Sequence, residues 1–503
     1  MCITKVLFFE INALFLWSIR TRQMGVLKKL AGETAIYGLS TILARMINFF
    51  FVPIYTRILT TGEYGSYSEI MSYIAVLQVV LVLGLETGCF RFANKEADPA
   101  KPFGTALSTV TALSVAFFLV LWAFSGNIAA IMGYEGYGKM IVYTGGILAL
   151  DSITAILFAR LRFMQKAFKF AILKTIKILS ELGFNLLLFF AVPAYLHSNP
   201  DSVLLNFIPA VPDFSYIIFA VFLSCVVCAV LFIPDLLKMK FTFSKPLWKE
   251  MMTYSIPLMI AGLPGIVNES FDRILFRFFA PDGAVWRSDL GEYQAAVKLA
   301  VIMNLFIQMF RYAAEPFFFR RAAEKDSRKL YASVQEYFTA FCGLVFLGVI
   351  LYIDIIALIL GPQFRSAVGV VPVMLLSYMI LGMLFNVSMW YKLSGKTSVA
   401  GWITLSGLAV TAIVIIIFMP KYSYWAAAWG HLASYVVMFA ISSLLGEKHY
   451  PIPYRWGRLV HIFLLMGAIY GLSLLLPEMG LALKLTVHTA LLALYGAETW
   501  FII

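Results

Sequence analysis

Across its 503 residues the chain is 61% hydrophobic and only 13% charged, with a mean hydropathy of +0.86. These values exclude a soluble globular protein and leave a polytopic membrane protein. A formal charge of +12 would suggest a nucleic-acid partner in a soluble chain; here it reflects basic loops, and no nucleic acid is expected.

Residues 1–23 carry an apolar stretch interrupted by Glu10 and lack a small-residue cleavage site, so they make a poor signal peptide. Met24 opens a short, basic, amphipathic segment of the kind that begins a cytoplasmic N-terminus. Residues 1–23 therefore read as a non-native upstream extension.

The first apolar run, near 35–57, holds the most informative charge. Thr34, Gly38, Thr41, Arg45 and Asn48 recur at spacings of four, three, four and three, which places them on one helix face. A mid-span arginine costs about 2.5–3.5 kcal/mol on insertion scales. That face requires water, a counter-charge or an anionic ligand. Two readings stay open: an arginine paired with a carboxylate between helices, or a cationic lining for an intramembrane cavity.

Thirteen further runs follow, near 67–90, 104–125, 140–159, 170–193, 214–234, 252–275, 293–316, 332–352, 368–391, 398–419, 423–445, 459–476 and 482–502. Runs such as 409–419 are continuously apolar rather than alternating, which predicts helices and not a β-barrel. The expected fold class is all-α with fourteen transmembrane helices. Every second loop is basic, from Arg91, Lys95 and Lys101 to Lys448, Arg455 and Arg458, while 194–213 contains neither Lys nor Arg. That alternation puts both termini in the cytoplasm.

Cysteine and histidine chemistry is not expected. Cys225 and Cys228 have redox-motif spacing but lie inside an apolar run, as buried helix cysteines do. The histidines at 197, 431, 449, 461 and 488 show no ligand spacing, so no metal site is expected.

Two stretches repeat. Arg57-Ile-Leu, Gly62-Glu63-Tyr64, Glu86 and Phe90-Arg91 match Arg273-Ile-Leu, Gly291-Glu292-Tyr293, Glu315 and Phe319-Arg320. The match joins the first two spans to the seventh and eighth. A shift of six helices keeps the orientation, which predicts two halves related by an axis along the membrane normal and a substrate site between them.

The seventh span is interrupted by Pro257, Gly262, Pro264 and Gly265 and reads as a broken or bent hinge, although small residues also permit close packing. Glu269, Asp272 and Arg273 are placed near its outer end, close to the surface. Other intramembrane charges are Asp151, Lys174, Lys177, Glu181, Lys298 and Arg311. Lys177 with Glu181 and Arg311 with Glu315 are i,i+4 pairs.

The segments Leu30-Ala-Gly-Glu-Thr-Ala-Ile-Tyr-Gly-Leu-Ser, Thr56-Arg-Ile-Leu-Thr-Thr-Gly-Glu-Tyr-Gly-Ser-Tyr, Arg311-Tyr-Ala-Ala-Glu-Pro-Phe-Phe-Phe and Trp390-Tyr-Lys-Leu-Ser-Gly-Lys-Thr resemble Wzx-type polysaccharide-biosynthesis flippases. These belong to the multidrug/oligosaccharidyl-lipid/polysaccharide (MOP) exporter superfamily. The resemblance covers about residues 25–500. It implies two six-helix lobes, 24–245 and 246–450, around a central cavity, followed by two helices in 451–503. It also implies a monomeric flippase in the bacterial cytoplasmic membrane that moves undecaprenyl-diphosphate-linked oligosaccharide by alternating access. The product would be O-antigen, capsule or exopolysaccharide. Polysaccharide polymerase and chain-length machinery would be partners, beside the lipid-linked substrate and membrane lipids.

In this reading the cavity residues are Arg45, Asn48, Thr41, Glu86, Arg91, Asp151, Arg311, Glu315 and Lys298, with Pro257, Gly262, Pro264 and Gly265 as the hinge. Arginine offers phosphate a planar fork of donors, and the carboxylates could accept from sugar hydroxyls. No cofactor is expected, and coupling to H+ or Na+ stays open. The alternatives are a drug or metabolite antiporter of the same superfamily and, from another class, a membrane-embedded polymerase or ligase. An enzyme of that kind needs a large catalytic outer loop, which the chain lacks.

Overall fold

Thr60 begins the second span with a capping box. Its hydroxyl accepts from Glu63 N at 3.3 Å, and Glu63 Oε2 accepts from Thr60 N at 2.8 Å. The Gly-Glu-Tyr motif is therefore the first turn of a helix rather than a free outer turn. The computed structural model describes residues 49–239, 243–281, 285–321, 326–477 and 479–502.

Helices make up these segments, because in lipid each backbone group must be satisfied within its own segment. The end of the first run is α1 (Val52–Ile58). The second span is α2 (Thr61–Val82) and α3 (Leu85–Ala93), followed by α4 (Ala100–Ala123), α5 (Gly138–Phe163) and α6 (Ala167–Leu186). A π-turn at Leu187–Ala191 and a short helix through Val192–Ser198 extend α6, and Pro193 at its start accounts for the irregular turn. Then come α7 (Phe214–Leu237), α8 (Lys245–Phe279), α9 (Trp286–Arg321), α10 (Ser327–Ile350), α11 (Val371–Val387), α12 (Ser398–Tyr422), α13 (Tyr424–His449), α14 (Trp456–Leu475) and α15 (Leu481–Ile502).

Twelve helices among the described residues are long and apolar enough to cross a membrane. The expected fourteen is not reached. Most of the first run lies outside the described residues, and α15, which carries Lys484, His488 and Glu498, is not among the twelve.

Many polar residues within the spans satisfy themselves. Ser68, Ser72, Ser152 and Thr339 each donate to the carbonyl four residues earlier at 2.7–2.8 Å. Such residues leave the helix faces free to pack and carry no site. Cys225 and Cys228 are likewise buried and free.

Helices α2 and α9, which open with the two copies of the repeat, pack against each other, and α8 packs on α2 as α1 packs on α9. This reciprocal arrangement has the form a pseudo-twofold axis requires. Glycine makes the crossing possible. A Cβ on Gly65 would overlap the Arg287 carbonyl, and one on Gly291 would overlap the Thr61 carbonyl.

The repeat continues into arginine contacts at this end. Arg57 donates to the carbonyls of Leu358 and Ile359 at 2.8 and 2.9 Å, in the connection before α11. Arg277 donates to Ile131 and Met132 at 2.6 and 2.7 Å, in the connection before α5. The structural counterpart of Arg57 is thus Arg277, one helical turn beyond the Arg273 chosen by tripeptide matching.

The helix break lies outside the seventh span. Helix α8 is continuous through Pro257, Gly262, Pro264 and Gly265 and is not broken. A Cβ on Gly262 would meet none of the described residues within 4 Å, so close packing among them does not explain it. The break lies in the second span, where Leu83 and Gly84 adopt left-handed conformations with φ of 55° and 67°. For Leu83 this conformation costs roughly 1–2 kcal/mol. The break seats α3 against α8: a Cβ on Gly84 would lie 2.7 Å from the Ser255 carbonyl, and one on Gly88 would overlap the Ser255 hydroxyl.

Candidate functional site

Most charged side chains within the spans fall into two groups. One group is consumed in pairs. Glu86 on α3 accepts from Arg162 at the end of α5 at 2.6 Å. Glu315 on α9 accepts from Lys392, just beyond α11, at 2.7 Å, with Arg311 a further 3.8 Å away. Because Glu86 and Glu315 are repeat equivalents, the two bridges are the same contact made twice. Asp151 takes Lys177 at 2.5 Å, so Lys177 reaches across to α5 rather than pairing with Glu181 on its own helix. Arg91 lies 4.2 Å over the ring of Tyr254, and Arg311 4.7 Å over Phe385. Glu69, fully buried, meets Arg277 at 3.6 Å and accepts from Tyr134.

The second group surrounds a cavity of about 260 Å³ between α8, α9, α11 and α13. Glu269, Asp272 and Arg273 enter it from α8, and Tyr293, Gln294, Lys298 and Asn304 from α9. Tyr378 of α11 and His431 and Tyr435 of α13 complete the polar wall. Phe49, the first described residue after Asn48, also lines it.

The periodicity of α8 puts Glu269, Asp272 and Arg273 on one face. Asp272 is 1% exposed and meets His431 Nε2 at 3.1 Å; Arg273 Nε stands 4.0 Å from its other oxygen. Among the described residues, several buried polar atoms here have no hydrogen-bond partner: Asp272 Oδ1, Arg273 Nε, Gln294 Nε2 and His431 Nδ1. A membrane interior makes such orphans costly. The cavity has room for several waters or for a polar group of a ligand. Two cations and an amide donor aimed into it suit phosphate or sugar oxygens.

Of the cavity residues expected from sequence, Lys298 reaches this space. Glu86, Arg91, Asp151, Arg311 and Glu315 do not line it. Thr41, Arg45 and Asn48 lie outside the described residues. Arg273, Gln294, Asn304 and His431 were missed. The signal existed in the Glu269-x-x-Asp272-Arg273 spacing, but the seventh span was ended at 275, whereas α8 runs to Phe279. The extra turn draws these charges into the interior.

A family model described as "Polysaccharide biosynthesis protein" matches residues 30–322, more than half of the chain. The chain belongs to that family. Among solved structures, the lipid II flippase MurJ in its inward closed conformation superposes with a TM-score of 0.71 at 11% identity, covering 92% of this chain and 98% of that one. An inward-facing multidrug resistance MATE family transporter of the MOP superfamily gives 0.58 at 14%, covering 83% and 93%. An outward-facing MATE family transporter gives 0.52 at 12%, covering 84% and 94%. At these identities the likeness is one of fold. No curated protein matches the chain. The chain is thus a polysaccharide-biosynthesis family member with the fold shared by these structures.

Proposed function

We propose that this family member flips undecaprenyl-diphosphate-linked oligosaccharide across the bacterial cytoplasmic membrane, with both termini cytoplasmic, to supply surface-polysaccharide assembly. The observation that carries the reading is the placement of Arg273 and Lys298, from neighbouring helices, in one polar intramembrane cavity. A lipid-linked diphosphate has a tail that stays in lipid and an anionic, hydroxyl-rich head that cannot. Arg273 offers the phosphate a planar fork and Lys298 a point charge. Gln294, Asn304 and the tyrosines suit sugar hydroxyls.

Alternating access then requires the two lobes, 24–245 and 246–450, to rock against each other and so open and close the way to this cavity, which lies in the second lobe with Phe49 of the first at its edge, while 451–503 rides outside. The Arg57 and Arg277 contacts, with the Gly65–Gly291 crossing, close the end expected to face outward. Opening that end breaks both arginine contacts together, because each lobe holds a loop of the other. Glu86–Arg162 and Glu315–Lys392 stay within their lobes and keep each one rigid during the motion.

A cation-coupled drug antiporter would use the acids of the same cavity. Asp272 is already engaged by His431, which favours the anionic cargo.

The test is reconstitution of the full chain in liposomes with undecaprenyl diphosphate linked to a single N-acetylglucosamine. Protein-dependent transfer of the head group between leaflets is expected. A rate equal to that of protein-free liposomes would overturn the proposal.

A further inference from the structure

We propose that the groove between α12 and α13 holds one anionic phospholipid, with an acyl chain along the groove and the phosphate at Lys421. This site is separate from the cavity described above and does not depend on what the transporter carries.

The groove has a volume of about 610 Å³. Its walls are aromatic: Phe418 and Tyr422 on α12 and Trp425 and Trp429 on α13 are each 38–51% exposed. Ala426 and Ala433 on α13 are small and leave a trough between these rings. Val414, Phe418 and Tyr422 recur every four residues, as do Trp425, Trp429 and Ala433, so each set forms one helix face. Each face runs for about 12 Å of helix, close to the depth of one leaflet of a hydrocarbon core about 30 Å thick. An apolar trough of that length matches an extended hydrocarbon chain and offers a soluble ligand few polar partners.

The head-group end is marked by charge. Helices α12 and α13 join through Ser423 alone, so Lys421, Tyr422 and Trp425 gather at one end of the groove. Lys421 follows Phe418 by three residues and Val414 by seven, which puts it on the groove's face. Its Nζ lies 5.3 Å from the centroid of the Tyr422 ring, at the mouth. Lys421 is exposed, and among the described residues no carboxylate forms an ion pair with it. The carboxylates at this end of α9 are otherwise engaged: Asp289 accepts from the Ser423 hydroxyl and Glu292 from that of Ser366. Tyrosine and tryptophan suit the head-group level, where the Trp425 indole supplies an N–H donor for ester carbonyls.

Net charge then selects the lipid. An anionic phospholipid supplies the counter-charge that Lys421 lacks. A zwitterionic one brings its own ammonium group, which repels Lys421 and competes for the phosphate. One basic residue at a membrane surface favours the anionic lipid about fivefold. The groove is anchored within the second lobe, since Ser423 is held by Asp289 of α9 and Trp425 packs on the turn at Gly369, 3.3 Å from where a Cβ would stand. In the orientation proposed above, the lipid belongs to the outer leaflet.

The test is photo-labelling of the full chain in phosphatidylcholine nanodiscs. Two probes with the same diazirine-bearing acyl chain are added in turn, a phosphatidylglycerol and a phosphatidylcholine, and labelled residues are mapped by mass spectrometry. Helix α4, where Leu119 and Val120 are exposed, serves as the reference. Residues 414–433 should take about fivefold more label from the anionic probe than from the zwitterionic one, with no such preference on α4. Lys421→Gln should remove the preference and keep the labelling by the zwitterionic probe. Ala433→Phe fills the trough and should lower labelling by both probes several-fold. Equal wild-type labelling by the two probes, or a preference that survives Lys421→Gln, overturns the proposal. So does a groove that neither probe reaches because a second copy of the chain covers it, detected as a cross-link between chains. The wild-type comparison decides even where a variant fails to fold.

Discussion

The guanidinium of Arg277 donates to the carbonyl of Met132 at 2.7 Å, tying α8 to the connection that precedes α5. Its counterpart is Arg57, which holds Ile359 from the opposite direction. A pseudo-symmetric molecule thus closes one end with two copies of a single device.

Removing either copy should loosen that end. Gly62 and Ser288 face each other there, since a Cβ on Gly62 would lie 3.6 Å from the Ser288 hydroxyl. Gly62→Cys with Ser288→Cys should form a disulfide in the closed state and block transport until reduced. Adding Arg57→Ala or Arg277→Ala should lower the cross-linking yield several-fold, because each removes two charge-assisted hydrogen bonds of about 1.5–3 kcal/mol at most. An unchanged yield in both variants would show that the arginines do not hold the closed state.

The location of the helix break gives a second expectation. Gly84→Ala places a side chain at φ 67° against the Ser255 backbone, which should cost about 1–3 kcal/mol and reduce protein level or transport. Gly262→Ala meets none of the described residues, in an unbroken helix, and should be tolerated or slightly stabilising. Thermal unfolding and transport of the two variants check this. A damaging Gly262→Ala beside a harmless Gly84→Ala would restore the hinge to α8.

Glu86–Arg162 and Glu315–Lys392 should behave as structural pairs. Each pair is about one-third exposed, so Glu86→Gln should cost only about 1 kcal/mol, discounted for solvent. Adding Arg162→Gln should recover much of that loss, as the uncompensated charge disappears. A double-mutant cycle on unfolding temperature, with transport rate per inserted molecule, is the measurement. Lost transport at normal stability would return Glu86 to the cargo pathway.

These pairs show what a sequence can and cannot convey. Apolar runs marked where the described spanning helices lie, with ends up to two turns short, as at Lys245 and Trp286, because a bilayer imposes length and composition directly. The paired downstream Glu86 and Glu315 exposed the repeat. Partners were not legible: Asp151 finds Lys177 and Asp272 finds His431 through helix packing that no local spacing encodes. The α8 site was missed for a simpler reason, a span drawn one turn too short. Pro257 and Pro264 read as a break or bend, and α8 continues unbroken through both, while the break at Leu83–Gly84 falls at the first of two glycines in a largely apolar run.

The orientation expected from the loop charges has its own check. Ser198 and Lys329 are exposed at the two expected sides. In intact cells a thiol at Ser198→Cys should react with an impermeant reagent, and one at Lys329→Cys should be protected until the membrane is opened. The reverse pattern would invert the whole map.

The most direct test of the central claim is the rate of head-group transfer in liposomes for Arg273 variants, normalised to the amount of inserted protein. Arg273→Ala should abolish transfer of undecaprenyl-diphospho-N-acetylglucosamine, and Arg273→Lys should keep part of it by retaining charge without the planar fork. Wild-type rates from correctly inserted Arg273→Ala protein would contradict the claim that this cavity carries the diphosphate.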